Sequence, residues 1–234
     1  MGVKVLCVIL ARGGSKGLID KNLKELDGIP LVARPVIDAK KSKYINSIVV
    51  STDSNEIAKV AKEFGADVPF IRPDELSDDF ATTESALQHA IIEYEKQKKI
   101  KFDISVFLTA TDVFRDPNII DRGIKILIEN PDLDSVFSGS QTHKNFWEKD
   151  SNGNWVRIRD WMKVYSSRQV RKSIVREDTG IFSASRSHLW RQGKRIGDKV
   201  EIILNNDPYS STDIHTIDDL KLAQMIIDLK KSNA

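Results

Sequence analysis

The stretch Val5-Leu6-Cys7-Val8-Ile9-Leu10 leads directly into Ala11-Arg12-Gly13-Gly14-Ser15-Lys16-Gly17 near the start of the chain. The first segment is a continuous apolar run, which is typical of a parallel strand buried on both faces of a sheet. The second is a loop with three glycines and two cationic side chains. Glycines let backbone N–H groups approach an anion closely, and neighbouring cations stabilise phosphate oxygens. Together the two segments predict a strand that ends in a polyphosphate-binding loop.

The loop differs from two widespread phosphate-binding motifs. The dinucleotide-binding motif requires G-x-G-x-x-G and the P-loop requires G-x-x-x-x-G-K-[ST], and Gly13–Gly17 matches neither. Taken alone, these five residues are also compatible with a plain solvated turn. The residues that follow therefore have to decide between the two interpretations.

Strand-like and helix-like segments alternate through the first 140 residues or so of the chain. This alternation predicts an α/β fold with a doubly wound, mostly parallel sheet and a ligand at the carboxyl ends of its strands. The predicted strands are Val3–Leu10, Ser47–Ser51, Ile104–Leu108 and Ser135–Ser138. The predicted helices are Leu31–Lys41, Asn55–Phe64, Thr83–Lys98 and Asn118–Ile128.

The pattern changes after Gly139. Residues 141–175 contain Trp147, Trp155 and Trp161, and Asn152-Gly153 is a β-hairpin signal. Exposed aromatic residues on such an insertion favour contact with a second copy, and an ordinary hairpin folded back on the sheet is the alternative. We therefore predict a single domain over residues 1–234, with 141–175 as a dimerisation or lid insertion within it. The remaining predicted elements are strands near Gly180–Ala184 and Val200–Ile203 and a closing helix over Ile217–Lys230.

The composition is that of an ordinary globular chain. Its 234 residues carry a net charge of +2, so nothing demands a nucleic acid or an anionic membrane as partner. A single cysteine, Cys7, excludes a disulfide within the chain. No segment approaches the ~18 apolar residues of a membrane span. These observations predict a cytoplasmic protein in which Cys7 is a core residue.

The longer string Ala11–Asn22 resembles the signature of the acylneuraminate cytidylyltransferase family, the enzymes that make CMP-activated sialic acids. That signature is A-R-G-G-S-K-G with a downstream Lys-Asn, found here as Lys21-Asn22. Other segments resemble family patterns in the same order: Arg72–Ser77, Arg168-Gln169, Thr179–Phe182 and Ser211–Leu220. The resemblance implies a Rossmann-like nucleotidyltransferase fold, a homodimer, and two substrates, CTP and a small acidic 2-keto-3-deoxy sugar. It also implies CMP transfer with release of pyrophosphate.

The resemblance also implies roles for individual residues. Phosphoryl transfer depends on positioning and charge, and Arg12, Lys16 and Lys21 supply cations for the leaving group. The further nucleotide-binding residues that it implies are Ala11, Gly13, Gly14, Ser15, Asn22, Arg72, Ser85 and Thr111. For Ser85 the alternative is a place at a helix start capped by Thr82 or Thr83.

Magnesium is the expected cofactor, because it prefers oxygen ligands and bridges phosphates. The family has two aspartates two residues apart, whereas this chain has Asp213 followed by His215. Either Asp213 holds the ion with triphosphate oxygens and water, or another acid contributes. A neutral His215 is a candidate proton acceptor for the attacking hydroxyl, with a structural histidine as the alternative.

The acceptor side departs further from the family pattern. The family's L-Q-P-T-S-P-L-R is replaced by Leu-Thr-Ala-Thr-Asp-Val-Phe-Arg at 108–115. Thr109 and Asp112 therefore join Arg168 and Gln169 as candidate contacts for the acceptor. Asp112 has three open roles: a second magnesium ligand beside Asp213, recognition of an ammonium or hydroxyl group, or a helix N-cap region before Pro117.

Three hypotheses of function follow. The first is a cytidylyltransferase that acts on a sialic-acid-like nonulosonate. The second keeps CTP but takes a phosphonate or another small phosphorylated acid as acceptor, since the glutamine motif is lost. The third is a nucleotide-binding regulator that has lost catalysis through His215.

Overall fold

The computed structural model of the chain describes residues 2–167 and 169–233. Its strands in this part of the chain are β1 (Val5–Leu10), β2 (Glu25–Leu26), β3 (Ile29–Pro30), β4 (Ser47–Ser51), β5 (Ile104–Leu108), β6 (Ser135–Thr142), β7 (Trp147–Lys149), β8 (Trp155–Arg157), β9 (Ile174–Glu177), β10 (Ser183–Arg186) and β11 (Val200–Leu204). Its helices are α1 (Ala33–Lys40), α2 (Asn55–Glu63), α3 (Thr83–Lys98), α4 (Ile119–Glu129), α5 (Ser187–Arg191) and α6 (Ile217–Ser232). Short 3-10 turns cover Lys21–Leu23, Asp74–Leu76 and Asp160–Lys163.

A seven-stranded sheet forms the centre of the molecule, in the order β11-β6-β10-β5-β1-β4, with β9 beside β6. Strands β4, β1, β5, β6 and β11 run in one direction, whereas β10 and β9 run against it. The doubly wound, mostly parallel sheet predicted from the sequence is therefore confirmed. The carboxyl ends of β1, β4 and β5 lie side by side, which places their following loops at one edge.

Strand β1 is buried on both faces because its side chains alternate between two cores. Cys7 and Ile9 pack into the core beneath α1, α2 and α4, whereas Leu6 and Val8 pack against α3 and α5. Burial raises the pKa of the Cys7 thiol to about 12. A thiol with such a pKa stays neutral, so Cys7 is a core residue, as predicted.

Helix α6 forms a third cluster with the short β2–β3 hairpin, centred on Leu26 and Ile226. The helix begins with a capping box, in which the Thr216 hydroxyl accepts from the Asp219 N–H and the Asp219 carboxylate accepts from the Thr216 N–H at 2.8 Å. The same carboxylate accepts from the His215 N–H at 3.0 Å. The start of α6 thereby fixes the segment that precedes it.

The insertion leaves the sheet as an extension of β6 and returns through β9, which pairs with it in antiparallel fashion. The sequence pattern did not predict β9, since this strand is largely exposed and carries two charged residues. The predicted hairpin is confirmed: β7 and β8 pair around Gly153, whose φ is +82°. Trp147, Trp155 and Tyr165 are exposed on this insertion. In the described ranges, no helix has the length and apolar character needed to cross a bilayer.

Helix α4 packs so closely on the sheet that its glycine is required. A Cβ at Gly123 would overlap the ring of Phe182, which is fully buried. We expect Gly123→Ala to lower the free energy of unfolding by about 1–3 kcal/mol, because overpacking outweighs the better helix propensity of alanine. Urea unfolding measures this, with Gly14→Ala as control, since a Cβ there meets no atom within 4 Å. An unchanged or raised urea midpoint for Gly123→Ala would contradict the packing described.

Candidate active site

Two adjoining cavities lie at the carboxyl ends of β1 and β5. The first, of about 320 Å³, lies between the glycine loop and the segment after β5. The predicted site residues in its walls are Arg12, Ser15, Lys16, Lys21, Asn22, Thr109, Thr111 and His215. The second, of about 280 Å³, lies between Arg12 and the start of α3 and includes Arg72. Leu10 and Arg12 belong to both walls, so the two cavities are neighbours.

Hydrogen bonds donated by backbone N–H groups hold the glycine loop in place. The Ala11 N–H donates to Ser51 O at 3.1 Å, and the Ser15 N–H donates to Gly13 O at 2.9 Å. The Gly13 N–H donates to the Asp53 carboxylate at 2.8 Å. The amides of Gly13 and Ser15, expected from the sequence to face phosphate, thus have acceptors within the protein. The sequence pattern did not indicate Asp53, which lies two residues after the end of β4.

The loop also lies against the segment before α6. A Cβ at Gly17 would lie 2.7 Å from His215 O, so only glycine allows this approach without displacement. The buried Asn22 side chain donates from Nδ2 to Arg12 O at 2.8 Å. Asn22 therefore orients the loop as well as lining the first cavity.

The three predicted cations differ in their surroundings. Arg12 and Lys16 both pair with the carboxylate of Asp79, Arg12 at 3.3 Å. Lys21 is partly buried, and burial lowers the pKa of its ammonium despite the opposing influence of the Asp213 carboxylate. A cation removed from water in this way is stabilised by an incoming anion.

Arg72 lies in the wall of the second cavity and is 4% exposed. Its Nε donates to the Ser77 hydroxyl at 2.9 Å. Burial lowers the pKa of this guanidinium, and the nearby Asp53 carboxylate opposes the shift. The arginine is thus held rigidly between the strand β4 end and the segment before α3.

The N–H and the hydroxyl of Ser85 both form hydrogen bonds at the start of α3. Thr82 is the N-cap of α3 and accepts from the Ser85 N–H at 3.1 Å, while the Ser85 hydroxyl donates to Thr82 O at 2.9 Å. The capping alternative raised for this segment is therefore confirmed for Thr82. Thr82 and Thr83 line the second cavity, and a nucleoside contact by Ser85 stays a prediction.

Two aspartates adjoin the wall of the first cavity in the chain: Asp112 follows Thr111, and Asp213 lies two residues before His215. Asp112 and Asp213 are partners in an isolated antiparallel bridge. Burial raises the pKa of Asp112 to about 6, and the Asp213 carboxylate adds to the rise while a 2.6 Å hydrogen bond from the Thr109 hydroxyl opposes it. Asp112 is not the helix cap suggested as an alternative, because Asn118 occupies the N-cap of α4.

Asp213 also approaches the neighbouring imidazole. Its Oδ2 lies 2.7 Å from His215 Nε2, whereas its Oδ1 is buried without a hydrogen-bond partner in the described part of the chain. A buried carboxylate oxygen without a donor is a suitable ligand for a cation. The described residues contain no group of three or more acidic, histidine or cysteine side chains placed to bind a metal. A magnesium ion here would therefore share Asp112 and Asp213 with oxygens of the nucleotide and water.

Gly180 and Arg115 keep this arrangement in place. A Cβ at Gly180 would clash with Asp112 Oδ2 and lie 2.9 Å from Thr109 Cγ2. The Arg115 side chain is 2% exposed, pairs with Asp38 at 2.7 Å and donates to Thr109 O at 3.2 Å. Both residues stand in segments that were compared with the family pattern, and the sequence predicted no role for either.

The remaining acceptor candidates lie on the insertion. Arg168 falls outside the described residues. Gln169 is exposed in the turn that follows Ser167. The structure therefore places Thr109 in the wall of the first cavity, with Asp112 hydrogen-bonded to its hydroxyl. Contacts of Asp112 and Gln169 with the acceptor stay predictions.

Comparison with known proteins gives a consistent result. The family described as "Cytidylyltransferase" matches residues 6–232 of this chain. A pseudaminic acid cytidylyltransferase from Campylobacter jejuni subsp. jejuni is 30% identical, over 99% of this chain and 100% of its own. A CMP-N,N'-diacetyllegionaminic acid synthase from Legionella pneumophila subsp. pneumophila is 32% identical, over 98% of each chain.

Among solved structures, a CMP:2-keto-3-deoxy-manno-octonic acid synthetase complexed with CTP superposes with a TM-score of 0.71. The match covers 97% of this chain and 99% of the other, at 14% identity. At that identity the likeness supports the fold, and the closer sequence relatives carry the family assignment.

Proposed function

The chain belongs to the acylneuraminate cytidylyltransferase-like family and is a CTP-dependent nucleotidyltransferase, and on that premise we propose that it transfers CMP to a sialic-acid-like nonulosonate. In the proposed reaction, the acceptor's anomeric hydroxyl oxygen forms a bond to the α-phosphorus of CTP. The bond from that phosphorus to the bridging oxygen breaks, and pyrophosphate leaves. The observation that carries the proposal is the cavity beside the glycine loop, whose wall brings Lys21 together with Thr109 and His215.

The phosphate end of the reaction is assigned to the glycine loop and its cations. Arg12, Lys16 and Lys21 surround the first cavity, where charge collects on the leaving pyrophosphate. Arg72 and the start of α3 border the second cavity, which we assign to the nucleoside. Because Arg12 borders both cavities, it is placed to contact the nucleotide where nucleoside and phosphates join.

Asp112 and Asp213 are the proposed magnesium ligands, together with phosphate oxygens and water. When bound, the ion neutralises charge on the phosphates. Asp213 is suited to two tasks, since Oδ1 has no donor among the described residues and Oδ2 faces His215 at 2.7 Å. With Nε2 turned to Asp213, the Nδ1 atom of a neutral His215 is the proposed acceptor of the hydroxyl proton.

The acceptor class is supported by a further cavity beside these groups. It has a volume of about 570 Å³ and extends from the β6 end to Ser211, two residues before Asp213. Among the described residues its walls hold one guanidinium, Arg176, and one carboxylate, Asp207, which pairs with Lys230 at 2.7 Å. The other polar groups of the walls are amides and hydroxyls, beside the ring of Phe146. A polyhydroxylated, acylated acid matches such a lining better than a small phosphonate, which calls for several cations. The names of the relatives point to nonulosonates as well.

A homodimer is also proposed. The insertion exposes Trp147, Trp155, Tyr165 and Val170, and aromatic residues of this kind are enriched in protein interfaces. Arg157 lies over the Trp147 ring at 4.1 Å, so the exposed aromatic surface is ordered by a cation–π contact. Sedimentation at several concentrations tests the association.

An acceptor panel tests the function. Purified protein is incubated with CTP, magnesium and one of three acceptors: a nonulosonate, a 2-keto-3-deoxy octulosonate or a simple phosphonate. We expect pyrophosphate release and a CMP-sugar with the nonulosonate, and at most a hundredth of that rate with the phosphonate. Release with phosphonates alone would support the second hypothesis, and CTP binding without turnover across the panel would support the regulator.

A further inference from the structure

Asp79 was not predicted as a site residue, but its carboxylate pairs with two cationic side chains that were. Asp79 Oδ1 lies 3.3 Å from Arg12, and Asp79 Oδ2 contacts the Lys16 ammonium. The same arginine donates to Asp78 O at 3.0 Å. The segment before α3 is thereby attached to the glycine loop through the groups that the proposed function assigns to the triphosphate.

The geometry of this contact resembles that of a bound phosphate. Each oxygen of the Asp79 carboxylate faces a different cation, as two oxygens of one phosphoryl group would. The hydrogen bond from Lys16 holds the pKa of Asp79 below its usual range, so this carboxylate is ionised at neutral pH. A full negative charge thus lies in the wall of the second cavity, next to the first.

The ion pairs of Asp79 with Arg12 and Lys16 are weak enough for another anion to displace this carboxylate. The side chains of Asp79 and Lys16 are 44% and 79% exposed. Ion pairs this exposed are weak and are screened by salt. A polyphosphate carries more charge and more oxygens than one carboxylate, so it competes successfully for the same two cations.

We propose that Asp79 is a positioning residue, the internal counter-ion of the glycine loop, which holds Arg12 and Lys16 until phosphate oxygens replace it. The inference rests on the proposed function, because it takes this loop as the triphosphate site. Competition by Asp79 limits the affinity of the loop for polyphosphate. It thereby favours release of the pyrophosphate product as well as setting the affinity for CTP.

The test is the charge-neutral variant Asp79→Asn, titrated with inorganic pyrophosphate in a calorimeter without and with magnesium. We expect the Kd for pyrophosphate to fall about three- to tenfold, in the range of two exposed ion pairs. The KM for CTP falls as well, while kcat does not rise. The matched control is Asp74→Asn, the same charge change in the exposed 3-10 turn upstream, for which we expect a Kd within twofold of wild type.

A double-mutant cycle then shows whether Asp79 acts through Lys16. In a Lys16→Met background, the gain from Asp79→Asn should be smaller than in the wild-type background. The inference is overturned if Asp79→Asn leaves the pyrophosphate Kd unchanged or raises it, if Asp74→Asn gives an equal gain, or if the gain is the same in both backgrounds. Failure of the wild-type protein to bind either CTP or pyrophosphate would instead contradict the proposed function itself.

Discussion

Lys21→Met is expected to lower kcat/KM for CTP by about 10²- to 10³-fold, while the protein keeps its fold. A single positioned donor or charge at a developing anion commonly contributes this much to transition-state stabilisation. Lys21 is partly buried at the wall of the first cavity, where its charge acts on the leaving group with less screening by water. Methionine preserves the aliphatic stem, so the packing around position 21 is retained.

The measurement is steady-state pyrophosphate release, accompanied by a thermal unfolding curve for each variant. Lys24→Met is the matched control, because Lys24 lies three residues further along in the same turn and is exposed. We expect this control to stay within threefold of wild type. If Lys21→Met were as active as the Lys24→Met control, Lys21 would have no role in the mechanism.

Asp213→Asn should reduce kcat by at least about 10³-fold and abolish the response of the rate to magnesium. The substitution retains the shape of the side chain but removes the charge that the proposed ion requires. It also changes the partner of His215 Nε2, which lies 2.7 Å from the carboxylate. Asp213→Asn therefore loses the neutralisation of phosphate charge as well as the orientation of the His215 imidazole.

Rates measured over a range of magnesium concentrations test this, together with CTP binding in the presence of EDTA. Binding of metal-free CTP should be retained or slightly improved, since one negative charge is gone. Asp218→Asn is the control: its side chain is 84% exposed and pairs with Lys221 at 3.1 Å on the outer face of α6. A normal magnesium activation curve for Asp213→Asn would rule out this residue as a ligand.

Strong local patterns made much of the fold predictable. The bounds of β4, α3 and β5 agree with those expected from apolar periodicity and from the capping threonine. The antiparallel strands β9 and β10 were harder to predict. Strand β10 is a small-residue segment, Ser-Ala-Ser-Arg, in which Ser185 hydrogen-bonds to Ser135 of β6, so it lacks the apolar run of a central strand.

The candidate site was predictable where the residues form one contiguous motif. Lys16, Lys21 and Asn22 were found in this way, and the structure brings them to a single cavity. Asp53 and Asp79 were not found, because their roles depend on contacts across 40 and more residues of sequence. Nothing in a local pattern specifies which carboxylate will meet a loop so distant along the chain.

The central claim is that the glycine loop after β1 holds the triphosphate of CTP. It is tested most directly by a crystal structure of the protein soaked with millimolar CTP and magnesium. We predict density for the three phosphates in the first cavity, against Lys16 and Lys21, and for the nucleoside beside Arg72. A structure in which CTP is bound elsewhere, or in which both cavities lack nucleotide under those conditions, would contradict the account.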